Sequence, residues 1–125
     1  MTHNALIVDD QPDIRKLIRM TMECGDFDLH EADNGEDAWR LAQNLRPAVI
    51  LLDVMMPGGM DGYQVCEKIK ADPLLQTLTK VILLTARGQR TDIERGQTAG
   101  CDAYLVKPFS PLELLDTVDR LVAPA

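Results

Sequence analysis

The chain has 125 residues, 46% of them hydrophobic and 26% charged, with 20 acidic against 13 basic side chains and a formal net charge of -7. That length and composition describe one globular domain with room for a real core, not a disordered segment, and the apolar runs are far too short to span a membrane. The negative balance opposes a polyanion, which argues against direct nucleic-acid binding by this chain alone.

The first element is the run Ala5-Leu6-Ile7-Val8-Asp9, a short continuous apolar stretch that fits a strand covered on both faces and ends on two adjacent acids, Asp9 and Asp10. Ile14, Leu17, Ile18 and Met22 then mark one face of a helix. The segment 27–32, FDLHEA, alternates Phe27 and Leu29 with polar residues, as an edge strand does. Asn34-Gly35 turns the chain into a second helix facing inward through Ala38, Leu41, Ala42 and Leu45. A buried strand follows over 48–53, AVILLD, ending on Asp53; after Pro57-Gly58-Gly59, Val65 and Ile69 mark a third helix. Past Asp72-Pro73 comes the strand KVILLTA over 80–86. Residues 91–99 read as a fourth helix, weakly anchored because Ile93 and Ala99 are its only apolar members and Gly96 interrupts it. The strand AYLVKP over 103–108 and a fifth helix with Leu115, Val118 and Val122 complete the pattern.

Strand then helix, five times over, predicts an α/β fold: a doubly wound parallel sheet with helices on both faces and right-handed crossovers. We read residues 1–125 as one domain, with 123–125 as a candidate linker start. Cys24, Cys66 and Cys101 are odd in number and lack CxxC spacing, so they read as reduced packing residues. His3 and His30 have no ligand-spaced partners. No charged-then-apolar leader precedes the first strand, and the expected location is cytoplasmic.

In a parallel sheet all strand C-termini share one edge, and ligands of such open sheets bind beyond that edge. Asp9, Asp10, Asp53, Thr85 and Lys107 therefore converge on one rim. Three carboxylates suit Mg²⁺, which takes one or two of them and completes its octahedron with water and phosphate oxygens. A cation, an ammonium and a hydroxyl are what a phosphoryl group in transfer requires, since its charge spreads over three oxygens. One acid must then be the nucleophile that forms an acyl phosphate, and Asp53, alone at its strand end, is the candidate. Each residue also has a plainer reading: Asp10 as a cap of the next helix, Asp53 as a loop acid, Thr85 as a turn hydroxyl, Lys107 as a snorkelling surface cation. Met55, Met56 and Met60 read as packing or loop residues, with a backbone carbonyl near Met55 in reach of the metal, and Met55 and Arg87 flank the pocket.

These residues resemble the receiver domain of two-component response regulators. The marks are LIVDDQP, LLDVMMPGGMDGYQV, ILLTA and DAYLVKPF, in the family's order and at strand ends, so that the likeness covers essentially the whole chain. The resemblance implies a flavodoxin-like sheet of order 2-1-3-4-5 with five helices, the fold of the chemotaxis regulator CheY. It implies that Asp53 accepts a phosphoryl group from a sensor histidine kinase or phosphotransfer protein and that Asp9, Asp10, Asp53 and the Met55 carbonyl hold Mg²⁺. Thr85 and Lys107 would contact the phosphoryl oxygens, and Lys107-Pro108 would be a cis peptide that turns the ammonium inward. Thr85 and Tyr104 would form the switch, altering a surface on the fourth helix, fifth strand and fifth helix that binds an effector or a second copy. Such a chain catalyses only its own phosphorylation and dephosphorylation and is not otherwise an enzyme.

One departure stands out. The family carries one residue between the proline and Met-Asp-Gly, whereas this chain carries Gly58 and Gly59. At least one of the two is expected at positive φ, in a loop that bulges. Three other functions were weighed. A phosphatase resembling the haloacid dehalogenases needs an acid two residues after the nucleophile, where this chain has Met55. A flavodoxin-like FMN carrier needs a glycine- and hydroxyl-rich loop where DDQPD stands. The third is an interaction module that keeps the fold and is never phosphorylated.

Overall fold

Five parallel strands form one sheet in the order β2-β1-β3-β4-β5 in the computed structural model, which describes residues 3–86 and 90–122 and, for 90–92, the backbone alone. The strands are β1 (His3–Val8), β2 (Phe27–Ala32), β3 (Val49–Asp53), β4 (Lys80–Thr85) and β5 (Ala103–Val106). Between and after them lie α1 (Pro12–Met22), α2 (Gly35–Leu45), α3 (Gly62–Ala71), α4 (Leu75–Leu78), α5 (Arg90–Ala99) and α6 (Pro111–Leu121). This is the doubly wound, flavodoxin-like arrangement expected, and the candidate linker start at 123–125 lies outside the described residues.

The unbroken apolar runs are explained by two cores, one on each face. Leu6, Val8, Ile50, Leu52, Val81 and Leu83 point to one side, where they pack with Ala38, Ala42, Val65, Cys66, Ile69, Leu75 and Ala99. Ala5, Ile7, Val49, Leu51, Ile82 and Leu84 point to the other and meet Ile18 and Met22 of α1 and Leu114 and Val118 of α6. With side chains alternating across the sheet and both faces covered, every position of β1 from Ala5 to Val8 must be apolar. At the edge, β2 keeps Phe27 and Leu29 only partly buried, as its alternation foretold.

Four expectations are corrected. A sixth helix, α4, is a single turn whose start is fixed by Asp72: its Oδ1 accepts from the amides of Leu74 at 2.9 Å and Leu75 at 3.1 Å. Four residues carry no helical period, so only the turn was legible. The inward face of α6 is set by Leu114, Thr117 and Val118, with Leu115 only half buried, while Val118 and Val122 do pack on the core as expected. A capping box of Ser110 and Glu113 starts this helix. Leu17 on α1 is 41% exposed, leaving Ile18 and Met22 as the packed pair. Cys24 is exposed and packs nothing, whereas Cys66 is buried and donates its Sγ–H to the Ala99 carbonyl at 3.4 Å.

At the C-terminal edge, close packing of α3 depends on Gly62. A Cβ there would run into the Asp53 carbonyl oxygen and come within 2.8 Å of the Val54 Cα. Gly62→Ala should therefore push the α3 N-terminus off β3 and cost about 2–3 kcal/mol, the upper range for overpacking against backbone. Urea unfolding with an unchanged m-value measures this; a variant as stable as the parent would contradict the packing described.

Candidate functional site

Register brings the strand ends together. Val8 pairs with Leu52, Asp53 with Leu84, and Thr85 with Val106, so the residues that follow each strand emerge side by side. Asp9 is fully buried and Asp53 is 4% exposed, while Asp10 is exposed, and one oxygen from each of the three lies within 4.8 Å of the others. Asp9 Oδ1 accepts the Gln11 amide at 2.9 Å, and Asp53 Oδ1 accepts the Met55 amide at 3.3 Å. The helix α1 begins at Pro12 with Gln11 at the N-cap, so Asp10 does not occupy the capping position.

Lys107 does not snorkel. Its ammonium reaches inward to Asp9 Oδ2 at 2.7 Å and Asp53 Oδ1 at 3.5 Å, with the side chain 17% exposed. Its backbone N–H donates to the Thr85 carbonyl at 2.7 Å, and the Lys107-Pro108 peptide is cis. Burial, and after it the negative charge of Asp9, push the Asp53 carboxyl up from 3.8 to about 6, against the opposing pull of Lys107 and the Met55 amide. The cluster is thus a hard-oxygen site with more negative charge than one ammonium offsets. The donor set fits Mg²⁺, with Asp9, Asp10 and Asp53 as the residues that would hold it.

Thr85, buried at the end of β4, shares a small cavity under α5 with Val54, Tyr63, Leu83, Ile93, Gly96 and Tyr104. Tyr104 is 37% exposed on β5. As anticipated, α5 is held by little: Ile93 is half buried and only Gly96 and Ala99 are buried among its described side chains. Met55 is 73% exposed at the mouth of the cluster; Arg87, read as its companion, lies outside the described residues.

Sequence reasoning missed three features. Arg15 donates to the Asp9 carbonyl at 2.7 Å and to Glu31 at 3.2 Å, and Arg19 binds the other Glu31 oxygen at 3.0 Å. Glu36 accepts the Gly59 amide at 2.9 Å, and Gly58 takes φ 100°, meeting the expectation of a positive φ in this pair. Arg95 lies 4.4 Å over the Tyr63 ring and 3.4 Å from Asp61 Oδ2, linking α5 to the N-cap of α3. Charges on a helix read as a solvated face, and nothing in the linear spacing names partners so distant in sequence.

A family model for the response regulator receiver domain matches residues 5–119. The transcriptional regulatory protein SrrA of Staphylococcus aureus is 43% identical over 122 residues, covering 98% of this chain and 48% of that protein. The chain therefore spans about half the length of the curated relatives it matches. Among solved structures, the chemotaxis response regulator CheY4 of Vibrio cholerae is 29% identical with a TM-score of 0.89, over 98% of this chain and 100% of that one. The receiver domain of the sensor histidine kinase PA1611 of Pseudomonas aeruginosa, with a magnesium ion coordinated in its active-site cleft, is 29% identical. Its TM-score is 0.86, over 97% of this chain and 98% of that one.

The raised pKa of Asp53 yields a sign. The folded chain holds that proton more tightly than the unfolded chain, so the contribution of Asp53 to stability falls as pH rises from about 4 to about 6 and is unfavourable at neutral pH. Asp53→Asn should stabilise the metal-free protein at pH 7 by about 1–3 kcal/mol and flatten the pH profile in that window. Chemical unfolding across pH measures it; a variant less stable than the parent at neutral pH would show that burial does not raise this carboxyl.

Proposed function

The chain belongs to the response regulator receiver family, and on that premise we propose that it accepts a phosphoryl group on Asp53 and passes the change to a surface formed by α5, β5 and α6. The observation that carries this reading is a carboxylate, Asp53, buried at the end of a central strand between a second acid and an inward-turned ammonium. The donor would be a phosphohistidine on a sensor histidine kinase or a phosphotransfer protein, and the site of action the cytoplasm. An Asp53 carboxylate oxygen attacks the phosphorus, the P–N bond breaks, and the imidazole leaves with the electron pair.

Five of this chain's side chains serve that step. Lys107, already within reach of Asp53, meets one phosphoryl oxygen, and Thr85 offers its hydroxyl to another. Asp9 and Asp10, with Asp53 and the Met55 carbonyl, would hold Mg²⁺, which would supply the positive charge that lets phosphoryl oxygens approach an acidic pocket. The magnesium reported in the structurally similar receiver domain of PA1611 supports this assignment. Asp53 serves as the nucleophile, and no external substrate is turned over, because the position two residues on is Met55 and provides no general acid.

The output follows from the cavity under α5. When the Thr85 hydroxyl moves toward a phosphoryl oxygen, room opens beside β5 for Tyr104 to turn inward, and the sparsely packed α5 adjusts at low cost. Tyr104 and Val106, both exposed, would form part of the surface offered to an effector or a second copy. The naming of SrrA as a transcriptional regulatory protein points to transcription as an output for longer proteins of this kind. With its net charge of -7, this chain would act there through a protein partner and not by touching nucleic acid itself.

Incubation with a small acyl phosphate should add one phosphoryl group, seen by intact-mass spectrometry. Chelating Mg²⁺ or substituting Asp53→Ala should abolish it; labelling that persists in Asp53→Ala and maps elsewhere rules the assignment out. With Mg²⁺ and a stable phosphoryl mimic, hydrogen exchange should change across α5 and β5, and Thr85→Ala should weaken that response while the mimic still binds. An unchanged pattern at saturation would contradict the α5–β5–α6 output.

A further inference from the structure

We propose that Glu36 is a positioning residue of the Mg²⁺ site: it latches the lengthened loop between β3 and α3 through the Gly59 amide, and so fixes the backbone that carries Met55 beside Asp53. The proposal rests on the Mg²⁺-dependent reading given above and adds to it a residue outside the carboxylate cluster.

The loop needs such a latch because of its extra residue. Gly58 and Gly59 together have the widest backbone freedom of any residue pair, and the loop they form must nonetheless deliver Met55 to one place. At its beginning it is tied by Asp53, whose Oδ1 accepts the Met55 amide at 3.3 Å. At its end Gly35 packs so tightly against Met60 that a Cβ on Gly35 would lie 2.9 Å from the Met60 Cβ. Between these ties Pro57 has no amide to offer, and the contact that restrains the two glycines is Glu36. Its Oε1 accepts from Gly59 at 2.9 Å, and its Oε2 lies where a Cβ on Gly58 would come within 3.1 Å. The carboxylate therefore lies along two successive residues of the loop. Glu36 itself is in the first turn of α2, behind an Asn34 cap whose side chain accepts from the Asp37 amide, so the latch is mounted on a fixed helix end. Among the described residues the metal-holding group contains Asp9, Asp10 and Asp53 but not Glu36. Its effect on the metal is thus exerted through the loop. The inserted residue and the acid that receives it belong together: a loop one residue shorter would have no Gly59 amide to present.

The test compares the parent with Glu36→Ala and Glu36→Gln, using amide exchange at Gly59 and Mg²⁺ titrations followed through the Asp53 and Met55 amides by NMR. Glu36→Ala should speed exchange at Gly59 and weaken Mg²⁺ binding by about fivefold, the worth of one hydrogen bond, whereas Glu36→Gln, which keeps an acceptor, should stay within about twofold of the parent. Equal weakening in both variants would make the effect one of charge and overturn the proposal, as would unchanged affinity in Glu36→Ala. In a chain lacking Gly59, Glu36→Ala should have no further effect; a persisting loss there also overturns it. Failure of the parent itself to bind Mg²⁺ would remove the proposed function along with the latch, whereas equal, normal Mg²⁺ binding in all three chains would remove the latch alone.

Discussion

Everything at this site depends on how two buried carboxylates are tolerated. Asp9 is fully buried and Asp53 is 4% exposed, so water screens their repulsion only weakly. The Lys107 ammonium, 2.7 Å from one and 3.5 Å from the other, is what makes the arrangement possible. It is not a large source of stability, because desolvating a buried ion pair costs about as much as the pairing returns. The raised pKa of Asp53 follows first from its burial and then from the charge of Asp9, which the one ammonium does not offset. A site left short of positive charge suits a divalent cation, and it stands at the edge of a sheet covered by an apolar core on each face.

Parallel topology is what assembles these groups. Because every strand runs the same way, the ends of β1, β3, β4 and β5 deliver Asp9, Asp53, Thr85 and Lys107 to one edge from positions 98 residues apart at the extremes. The same edge places the active cluster next to the least anchored helix. Thr85 belongs to both settings, since it ends β4 beside the carboxylates and lines the cavity under α5 with Tyr104. In the proposed function, a change of charge on Asp53 would be felt beside a region whose described side chains bury little. Arg95 adds a second link from α5, to Tyr63 and to the Asp61 cap of α3.

The sheet, its two-sided core and the rim residues were legible because hydrophobic period and strand-end acids are local signals. Ala5 to Val8 could not be half exposed, and acids closing β1 and β3 had to share an edge once the strands were parallel. What escaped was set by tertiary contact. In α6, Leu114 and Leu115 both suit an apolar face, and packing against α1 and the sheet, not sequence, puts Leu114 inside. The single turn of α4 is too short for any period. Cys24, apolar by type, is left outside both cores where α1 gives way to β2. Arg15 and Glu36 have as partners the backbone carbonyl of Asp9 and an amide in an irregular loop, and neither contact has a sequence signature. The doubled glycine was visible from the start; its receiving acid was not.

In the proposed function, Asp53 is a carboxylate short of positive charge until a divalent cation arrives. Carbon-13 NMR titration of the Asp53 side-chain carboxyl, in the presence and absence of Mg²⁺, tests it most directly. The expected midpoint lies near 6 without the metal and well below the ordinary carboxylate value with it. A carboxyl that titrates near 3.8 in both conditions would contradict it, because Asp53 would then be neither strained by its neighbours nor relieved by the cation.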